Sequence, residues 1–209
     1  MKAPVFAEVF ADQWEHLPPV MQTHYANRPY TRDRVTVEGH LDVYIRPLMK
    51  PFASLMAALG LLAPYAGERV PCTVQFLSQV DGKAFIFDRR FHFPESSSAS
   101  GRKSYQFRSE LVAKGANDVI EYMRCGIGWR CGYSFENGRV VLAHKGYVWR
   151  LFGRDIPLPG AGLIVGRGEA FEEATGDDSF AMAMALHHPL FGRLYSYAGT
   201  FTVAEIELA

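Results

Sequence analysis

Hydrophobic and polar residues alternate along most of this chain, which is the pattern of β-strands that bury one face. The first alternating run covers residues 34–45, and further runs follow from residue 70 to residue 203. Short turn signals separate these runs, as in antiparallel hairpins. The pattern predicts about nine to ten strands in the whole chain.

Helical periodicity is confined to the first third of the sequence. Four apolar side chains near the N-terminus lie at the spacing i, i+3, i+4 and i+8, which defines one face of a short amphipathic helix. They are Phe6, Val9, Phe10 and Trp14. Further helical turns are predicted over residues 20–26 and 52–59. We therefore expect two or three N-terminal helices that pack on the sheet or cap it.

The dipeptide Asp81-Gly82 lies between two alternating runs and predicts a two-residue hairpin turn. Such a turn determines which residues face each other across the two strands. It predicts that Val80 faces Lys83 and that Val74 faces Arg89. Arg89 is thereby placed on an otherwise apolar face.

A second hairpin turn is predicted at Asn137-Gly138. Its register pairs Cys131 with His144 and Trp129 with Gly146, and it places Tyr147 on the opposite face. Residues 162–174 are predicted to form one long strand, and the serine-rich segment 95–103 a surface loop.

A sheet built from so many consecutive hairpins has to curl or close, because long open sheets rarely remain flat. We therefore predict an α+β fold that is mainly antiparallel β. The sheet is expected to be strongly curved or barrel-like, as in lipocalin-like or helix-grip-like proteins. With 209 residues, 48% of them hydrophobic, the chain is expected to form one domain over 1–209. The helices and first strand occupy 1–67 and the hairpins 68–209.

The charge balance argues against several classes of partner. Lys plus Arg and Asp plus Glu each number 22, so no net field attracts nucleic acid or an anionic membrane. The longest apolar stretch, 52–66, is too short to cross a bilayer and contains Gly60 and Pro64. No transmembrane segment is therefore predicted, and the oligomeric state stays open, with a homodimer as one alternative.

Neither the cysteines nor the N-terminus indicate export. The three cysteines show no CxxC spacing, which suits a reducing compartment. Glu8 and Asp12 interrupt the N-terminal segment where a secretory signal needs an apolar run. The expected location is the cytoplasm. No sequence motif for a metal or a nucleotide is found, so neither a metal nor a cofactor is predicted.

Arg89 is the first candidate for a binding residue, because a guanidinium on an apolar face needs a carboxylate or a ligand as its partner. Glu169 is one candidate partner, with Arg167 close to it in the sequence. The simpler interpretation is a structural ion pair, or a side chain that reaches water. Trp129 is a candidate for the wall of an apolar cavity.

The facing residues Cys131 and His144 are candidates for a nucleophile and its base, since an imidazole lowers the pKa of a neighbouring thiol. The simpler interpretation is a buried thiol beside a core histidine. It is favoured because the sequence offers no third residue to orient the histidine.

Several motifs in the C-terminal half resemble one bacterial family. They are GRDIPLP at 153–159, GRGEA at 166–170, HPLFG at 188–192 and YAGTF at 197–201. Together they are similar to the domain of unknown function 4166, from about Leu17 to the C-terminus. In that family an aromatic and arginine-rich strand corresponds to FDRRF at 87–91, although the tryptophan common there is absent here. The resemblance implies a stand-alone member and transfers no catalytic residue.

Three functions remain open at this point. A curved sheet with an aromatic and methionine-rich face favours the binding of a small apolar or amphipathic ligand, with Arg89 and Glu169 orienting its polar head. The second is an enzyme acting on a carbonyl or acyl substrate in the same cavity, with His144, Cys131 or Glu169 as acid or base. The third, an accessory domain for an oxidoreductase, is implied by the dehydrogenase-like and epimerase-like fusions of the resembling family.

Overall fold

The computed structural model of the chain describes residues 2–93 and 104–209. The surface loop expected at 95–103 lies outside the described residues. Four short α-helices occur in the described part: α1 (Val5–Phe10), α2 (Pro19–His24), α3 (Ala53–Ala58) and α4 (Ala161–Ile164). The described strands are β1 (Arg34–Ile45), β2 (Gly67–Ser78), β3 (Phe85–Phe91), β4 (Tyr105–Gly115), β5 (Asp118–Tyr122), β6 (Ile127–Glu136), β7 (Arg139–Leu151), β8 (Arg154–Pro157), β9 (Arg167–Ala174), β10 (Ser179–His188) and β11 (Gly192–Glu207).

Ten of these strands close into an antiparallel barrel. The order around the barrel is β6-β5-β4-β3-β2-β1-β11-β10-β9-β7, and pairing of β6 with β7 completes the ring. The predicted mainly antiparallel, barrel-like α+β fold is therefore confirmed. Closure gives each of the ten barrel strands two neighbouring strands, which removes most of the exposed edge that an open sheet would have. None of the helices within the described residues is long and apolar enough to cross a lipid bilayer.

The barrel has two different ends. Helices α1 and α2 fill one end, where Phe6, Phe10 and Met21 are almost completely buried against the strands. The other end includes the connections 46–66, 123–126, 152–166 and 189–191, and it is called the cavity end below. Helices α3 and α4 lie there.

Strand β7 divides its outer edge between two partners. Its first residues, Arg139 to Leu142, pair with β9, whereas its last residues, Val148 to Leu151, pair with β8. Strands β7 and β9 are therefore not hydrogen-bonded to each other near the cavity end. This unpaired stretch between β7 and β9 is called the seam below. Helix α4, which precedes β9, contacts both β7 and β10 there.

The first hairpin has the predicted register, since Val74 faces Arg89 and Ser78 faces Phe85. The ladder ends at that pair, so the predicted facing of Val80 and Lys83 is wrong. Asp81-Gly82 instead belongs to the longer loop 79–84, and neither residue has the positive φ that a two-residue turn of this kind requires. The alternating pattern determined the register even though the turn type differed.

The second hairpin has the predicted turn, with φ of 52° at Asn137 and 80° at Gly138. Cys131 faces His144 as predicted, but Arg130 already faces Gly146, so Lys145 is an extra residue. Such a β-bulge exchanges the two faces of the strand beyond it. The predicted facing of Trp129 and Gly146 is therefore wrong, and Tyr147 faces Trp129 on the inside of the barrel.

The predicted long strand 162–174 is wrong in its first part, because helix α4 and a turn precede β9. Glycines with positive φ bound this segment on both sides, 80° at Gly160 and 96° at Gly166. Those conformations interrupt an extended strand and allow a single helical turn between them.

Candidate functional site

A cavity of ≈ 230 Å³ lies inside the barrel near the cavity end. Met56 and Leu62 line it on the side of α3, and Ala161 and Val165 line it on the side of α4. Most of the other lining side chains are aromatic or aliphatic and come from the barrel strands. Among them are Phe87, Phe107, Trp129, Leu142, Met182, Met184 and Leu186.

Arg89 lies in the wall of this cavity with only 4% of its surface exposed. Its guanidinium lies between two aromatic rings, 3.9 Å from the centre of Phe87 and 4.2 Å from that of Phe107. Its Nη2 donates hydrogen bonds to Ser109 Oγ, at 2.7 Å, and to Glu121 Oε1. Ser109 donates to the same oxygen of Glu121 at 2.6 Å.

The arginine stays charged in this apolar setting. Burial by itself would lower the pKa of Arg89, but the neighbouring Glu121 carboxylate outweighs burial and raises it. The two aromatic faces add an attraction for the cation. Arg89 is thus held by protein groups on several sides, and its Nε has no hydrogen-bond partner among the described residues.

A second buried carboxylate, Glu172, lines the same cavity from β9. Tyr25 donates a hydrogen bond of 2.5 Å to its Oε2, and His24 Nε2 lies 3.3 Å from that oxygen. Burial would raise the pKa of Glu172, but His24 and Tyr25 outweigh burial and lower it. The carboxylate therefore also connects α2 to the barrel wall.

The charged groups in the cavity wall are one guanidinium and two carboxylates, from Arg89, Glu121 and Glu172. Glu121 already neutralises Arg89, while Glu172 has its own partners. An anionic ligand would have to approach a second carboxylate without gaining a free cation. The electrostatics of the wall therefore disfavour an acidic head group.

Glu169, which was one candidate partner of Arg89, instead pairs with His187, and Arg89 pairs with Glu121. The side chain of Glu169 is 68% exposed on the outer face of β9 and lies 3.2 Å from His187 Nε2. The alternation along β9 explains this, because Glu172, three residues later, faces inwards. Glu121 was missed as the partner, although its place in β5 two residues after the buried Val119 indicates the inner face.

Glu169, Arg167 and His144 lie together in a shallow groove of ≈ 920 Å³ on the outside of the barrel. The floor of this groove includes the outward-facing alanines Ala183 and Ala185 of β10. The candidate residues are thus divided, with Arg89 and Trp129 lining the inner cavity and these three lining the outer groove.

His144 connects the two regions through Trp129, whose Nε1 donates a hydrogen bond of 3.0 Å to His144 Nδ1. Burial, together with the nearby Arg167 cation, lowers the pKa of His144. A neutral ring that accepts at Nδ1 carries its proton on Nε2. His144 therefore serves as a hydrogen-bond acceptor that orients the tryptophan in the cavity wall.

Cys131 lines neither the inner cavity nor the outer groove. Its Sγ points towards the carbonyl oxygen of Val119, at 3.8 Å, and burial raises the pKa of its thiol well above the usual value. A protonated, enclosed thiol is a poor nucleophile. The facing of Cys131 and His144 thus does not form the reactive pair that was considered from the sequence.

The family model described as Domain of unknown function (DUF4166) matches residues 17–201. The chain is also similar to the crystal structure of Rv2717c from M. tuberculosis, at 12% identity and a TM-score of 0.41, over 90% of this chain and 99% of that one. A weaker similarity is to the dehydratase domain of the polyketide PpsC from Mycobacterium tuberculosis, at 9% identity and a TM-score of 0.18, over 93% and 82% of the chains. At these TM-scores neither structure bears on function, and the comparison with curated proteins gave no match.

Proposed function

Because the chain belongs to the DUF4166 family, a domain of unknown function, its role has to be argued from its own site, and we propose that it binds a small, uncharged, largely apolar ligand inside the barrel. The observation that carries this proposal is the cavity of ≈ 230 Å³, lined mainly by apolar side chains with few polar groups. Enclosed apolar cavities with a small number of oriented polar groups are typical of small-molecule sites.

The size of the cavity limits the ligand. Its ≈ 230 Å³ is somewhat below the roughly 300 Å³ at which common ligand pockets begin. A molecule with one or two fused rings, or a short branched chain, fits this space better than a long acyl chain.

The polar groups of the wall indicate the chemistry of the ligand. Among the described residues, Glu121 Oε2 and Glu172 Oε1 accept no hydrogen bond. A carboxylate oxygen at the edge of an apolar cavity favours a hydroxyl or amine donor. An apolar body with one hydroxyl group therefore satisfies the wall better than an apolar acid does.

The seam between β7 and β9 provides a route for the ligand. Helix α4 contacts β7 and β10 at this part of the barrel, and Tyr147 holds the turn after the helix by donating a hydrogen bond of 2.9 Å to the carbonyl oxygen of Gly166. Displacing one helical turn requires far less disruption than separating two paired strands.

The proposal is tested with two fluorescent probes that share the same ring system, 2-naphthol and 2-naphthoate. Titration at neutral pH is expected to show binding of 2-naphthol and at least tenfold weaker binding of 2-naphthoate, because the acid meets the cavity carboxylates.

A pair of matched variants distinguishes the cavity from other sites. Ala170 faces inwards and lines the cavity, whereas Ala183 on the neighbouring strand faces outwards. Ala170→Leu is expected to weaken 2-naphthol binding at least tenfold, and Ala183→Leu to leave it unchanged. Absence of 2-naphthol binding by the wild type, or equal binding by a folded Ala170→Leu variant, would refute the proposal.

A further inference from the structure

Large apolar side chains are exposed mainly at one end of the barrel. Of the sixteen such side chains in the described part of the chain, ten lie in the connections of the cavity end. They are Leu48, Phe52, Leu55, Phe152, Ile156, Leu163, Ile164, Val165, Leu190 and Phe191. Phe152 is 96% exposed, Leu190 82% and Ile164 79%. Exposed apolar patches of this kind on a folded protein mark surfaces that bind something.

Phe152 also has an unfavourable backbone conformation. Phe152 and Gly153 form the turn between β7 and β8 with φ of 48° and 75°. The hairpin turn at Asn137-Gly138 has almost the same values, 52° and 80°, and there asparagine occupies the first position. A positive φ is tolerated by asparagine but is costly for a bulky residue. The chain therefore keeps a phenylalanine at a strained position, where its ring contacts little of the protein.

The charges of the protein are separated between the two ends. The connections of the cavity end, 46–66, 123–126, 152–166 and 189–191, contain four cationic residues and one acidic residue. The helices and loops of the other end, 2–33, 79–84 and 175–178, contain four cationic and seven acidic residues. The net charge of zero thus conceals a positive end and a negative end.

Contacts join several of the connections that carry these exposed apolar residues, which together form the apolar surface of the cavity end. Arg46 donates a hydrogen bond to the carbonyl oxygen of Phe191, which joins the first connection to the last. A Cβ atom at Gly60 would lie 3.0 Å from Cδ of Arg124, so the first connection also approaches the connection 123–126 closely. Both α3 and α4 line the cavity below this surface.

We propose that this surface of the cavity end docks on an anionic lipid bilayer. Exposed aromatic and aliphatic side chains interspersed with Lys and Arg are the combination that binds the interface of a negatively charged membrane. The apolar side chains lie on separate connections, and a bilayer accepts each of them without requiring a matching shape. Docking would place the ligand cavity and the seam beside the apolar phase. The proposal does not depend on the cavity being occupied.

The test is co-sedimentation of the full chain with two kinds of vesicle, pure phosphatidylcholine and an equal mixture of phosphatidylcholine and phosphatidylglycerol. The protein is expected to bind the mixed vesicles at least tenfold more strongly than the neutral ones, and high salt is expected to weaken that binding.

Phe152→Asn is the decisive variant, because it removes the exposed ring and also relieves the backbone strain. It is expected to fold at least as stably as the wild type and to bind the mixed vesicles about tenfold more weakly. Val80→Asn, which removes an exposed apolar side chain at the opposite end, is the matched control and is expected to bind normally. Arg124→Gln combined with Arg154→Gln is expected to reduce binding about tenfold or more.

Three outcomes would overturn the docking proposal. The first is no binding to the mixed vesicles, and the second is equal binding by the wild type and Phe152→Asn. The third is concentration-dependent self-association in sedimentation velocity that Phe152→Asn abolishes, since a second copy of the chain would then cover the surface. Binding of 2-naphthol is measured without vesicles, so failure of one proposal does not imply failure of the other.

Discussion

Arg89 of β3 and Glu121 of β5 form an ion pair across the intervening strand β4, inside a barrel wall that is otherwise mostly apolar. Ser109 of β4 donates to the same carboxylate, so three strands are joined by one hydrogen-bonded cluster. A buried pair of this kind is costly to break but adds little net stability compared with apolar residues. Its main effect here is to keep a charged, hydrogen-bonded pair of side chains in the apolar wall of the cavity.

Breaking this pair from one side is expected to destabilise the protein strongly. Glu121→Gln leaves the buried Arg89 without its counter-charge and should lower the free energy of unfolding by about 3–5 kcal/mol. The double variant Arg89→Leu with Glu121→Leu should lose clearly less, because no unpaired charge remains. Urea denaturation measures the free energy of unfolding of both variants, and a loss in the double variant as large as that in Glu121→Gln would contradict this account.

The second carboxylate predicts a dependence of stability on pH. The pKa of Glu172 is lower in the folded protein than the value of about 4.3 expected when unfolded. The stabilisation from its ionised form is therefore complete above that value and is lost as the pH falls through the folded pKa. Tyr25→Phe removes one cause of the low pKa, so the free energy of unfolding should fall less steeply in this variant as the pH is lowered.

Tyr25→Phe should also lower the free energy of unfolding at neutral pH by about 1.5–3 kcal/mol, because a hydrogen bond to a buried charged group is removed. Tyr30→Phe is the control, since Tyr30 is exposed on the same side of the barrel. Urea denaturation at a series of pH values measures the free energy of unfolding of both variants. An unchanged acid-side slope in Tyr25→Phe would exclude this tyrosine as a cause of the low pKa.

The three thiols are expected to differ sharply in reactivity. Cys125 is exposed, whereas Cys72 and Cys131 are buried. Burial raises the pKa of Cys72 to about 12 and also raises that of Cys131. A thiol reagent at neutral pH should therefore modify one cysteine in the folded protein, and Cys125→Ser should remove this reaction. Rapid modification of Cys131 would contradict this expectation and would support Cys131 as a nucleophile.

The contact of β1 with β11 depends on glycine at one position. A Cβ atom at Gly199 would lie 1.8 Å from the carbonyl oxygen of His40 on the neighbouring strand. Gly199→Ala should therefore force the two strands apart and cost about 3 kcal/mol or more. Gly82→Ala is the control, because the nearest atom to its Cβ would be the flexible side-chain oxygen of Gln79, at 3.1 Å, while the backbone lies no closer than 3.8 Å. Equal thermal stability of the two variants would contradict the expected close approach.

Much of the fold follows from local pattern. Strand β1 covers the predicted residues 34–45, and the first hairpin has the predicted register up to Ser78 and Phe85. Alternation of apolar residues is a strong signal because a shift by one residue would expose a whole buried face. The same reasoning placed Arg89 on the inner face, where it lies.

The site was predictable only in part. The extra residue Lys145 turned Tyr147 inwards, and the glycine beside it, Gly146 with φ of 136°, was the local signal of a bulge that the prediction did not use. The partner of Arg89 depends on which strands become neighbours, and this brought Glu121 to the arginine while Glu169 remained outside. The division of the candidates between an inner cavity and an outer groove has the same origin.

The sequence by itself determined that this protein is built of antiparallel hairpins, and it determined the inward faces of most strands, because alternation and turn residues act over a few neighbouring positions. Only the tertiary structure decided that the barrel closes and that Glu121 and Glu172 meet in one cavity. It alone also separated the charges of a neutral chain into a basic and an acidic end. These features depend on contacts between residues far apart in the chain, and no local pattern records which distant residues will meet.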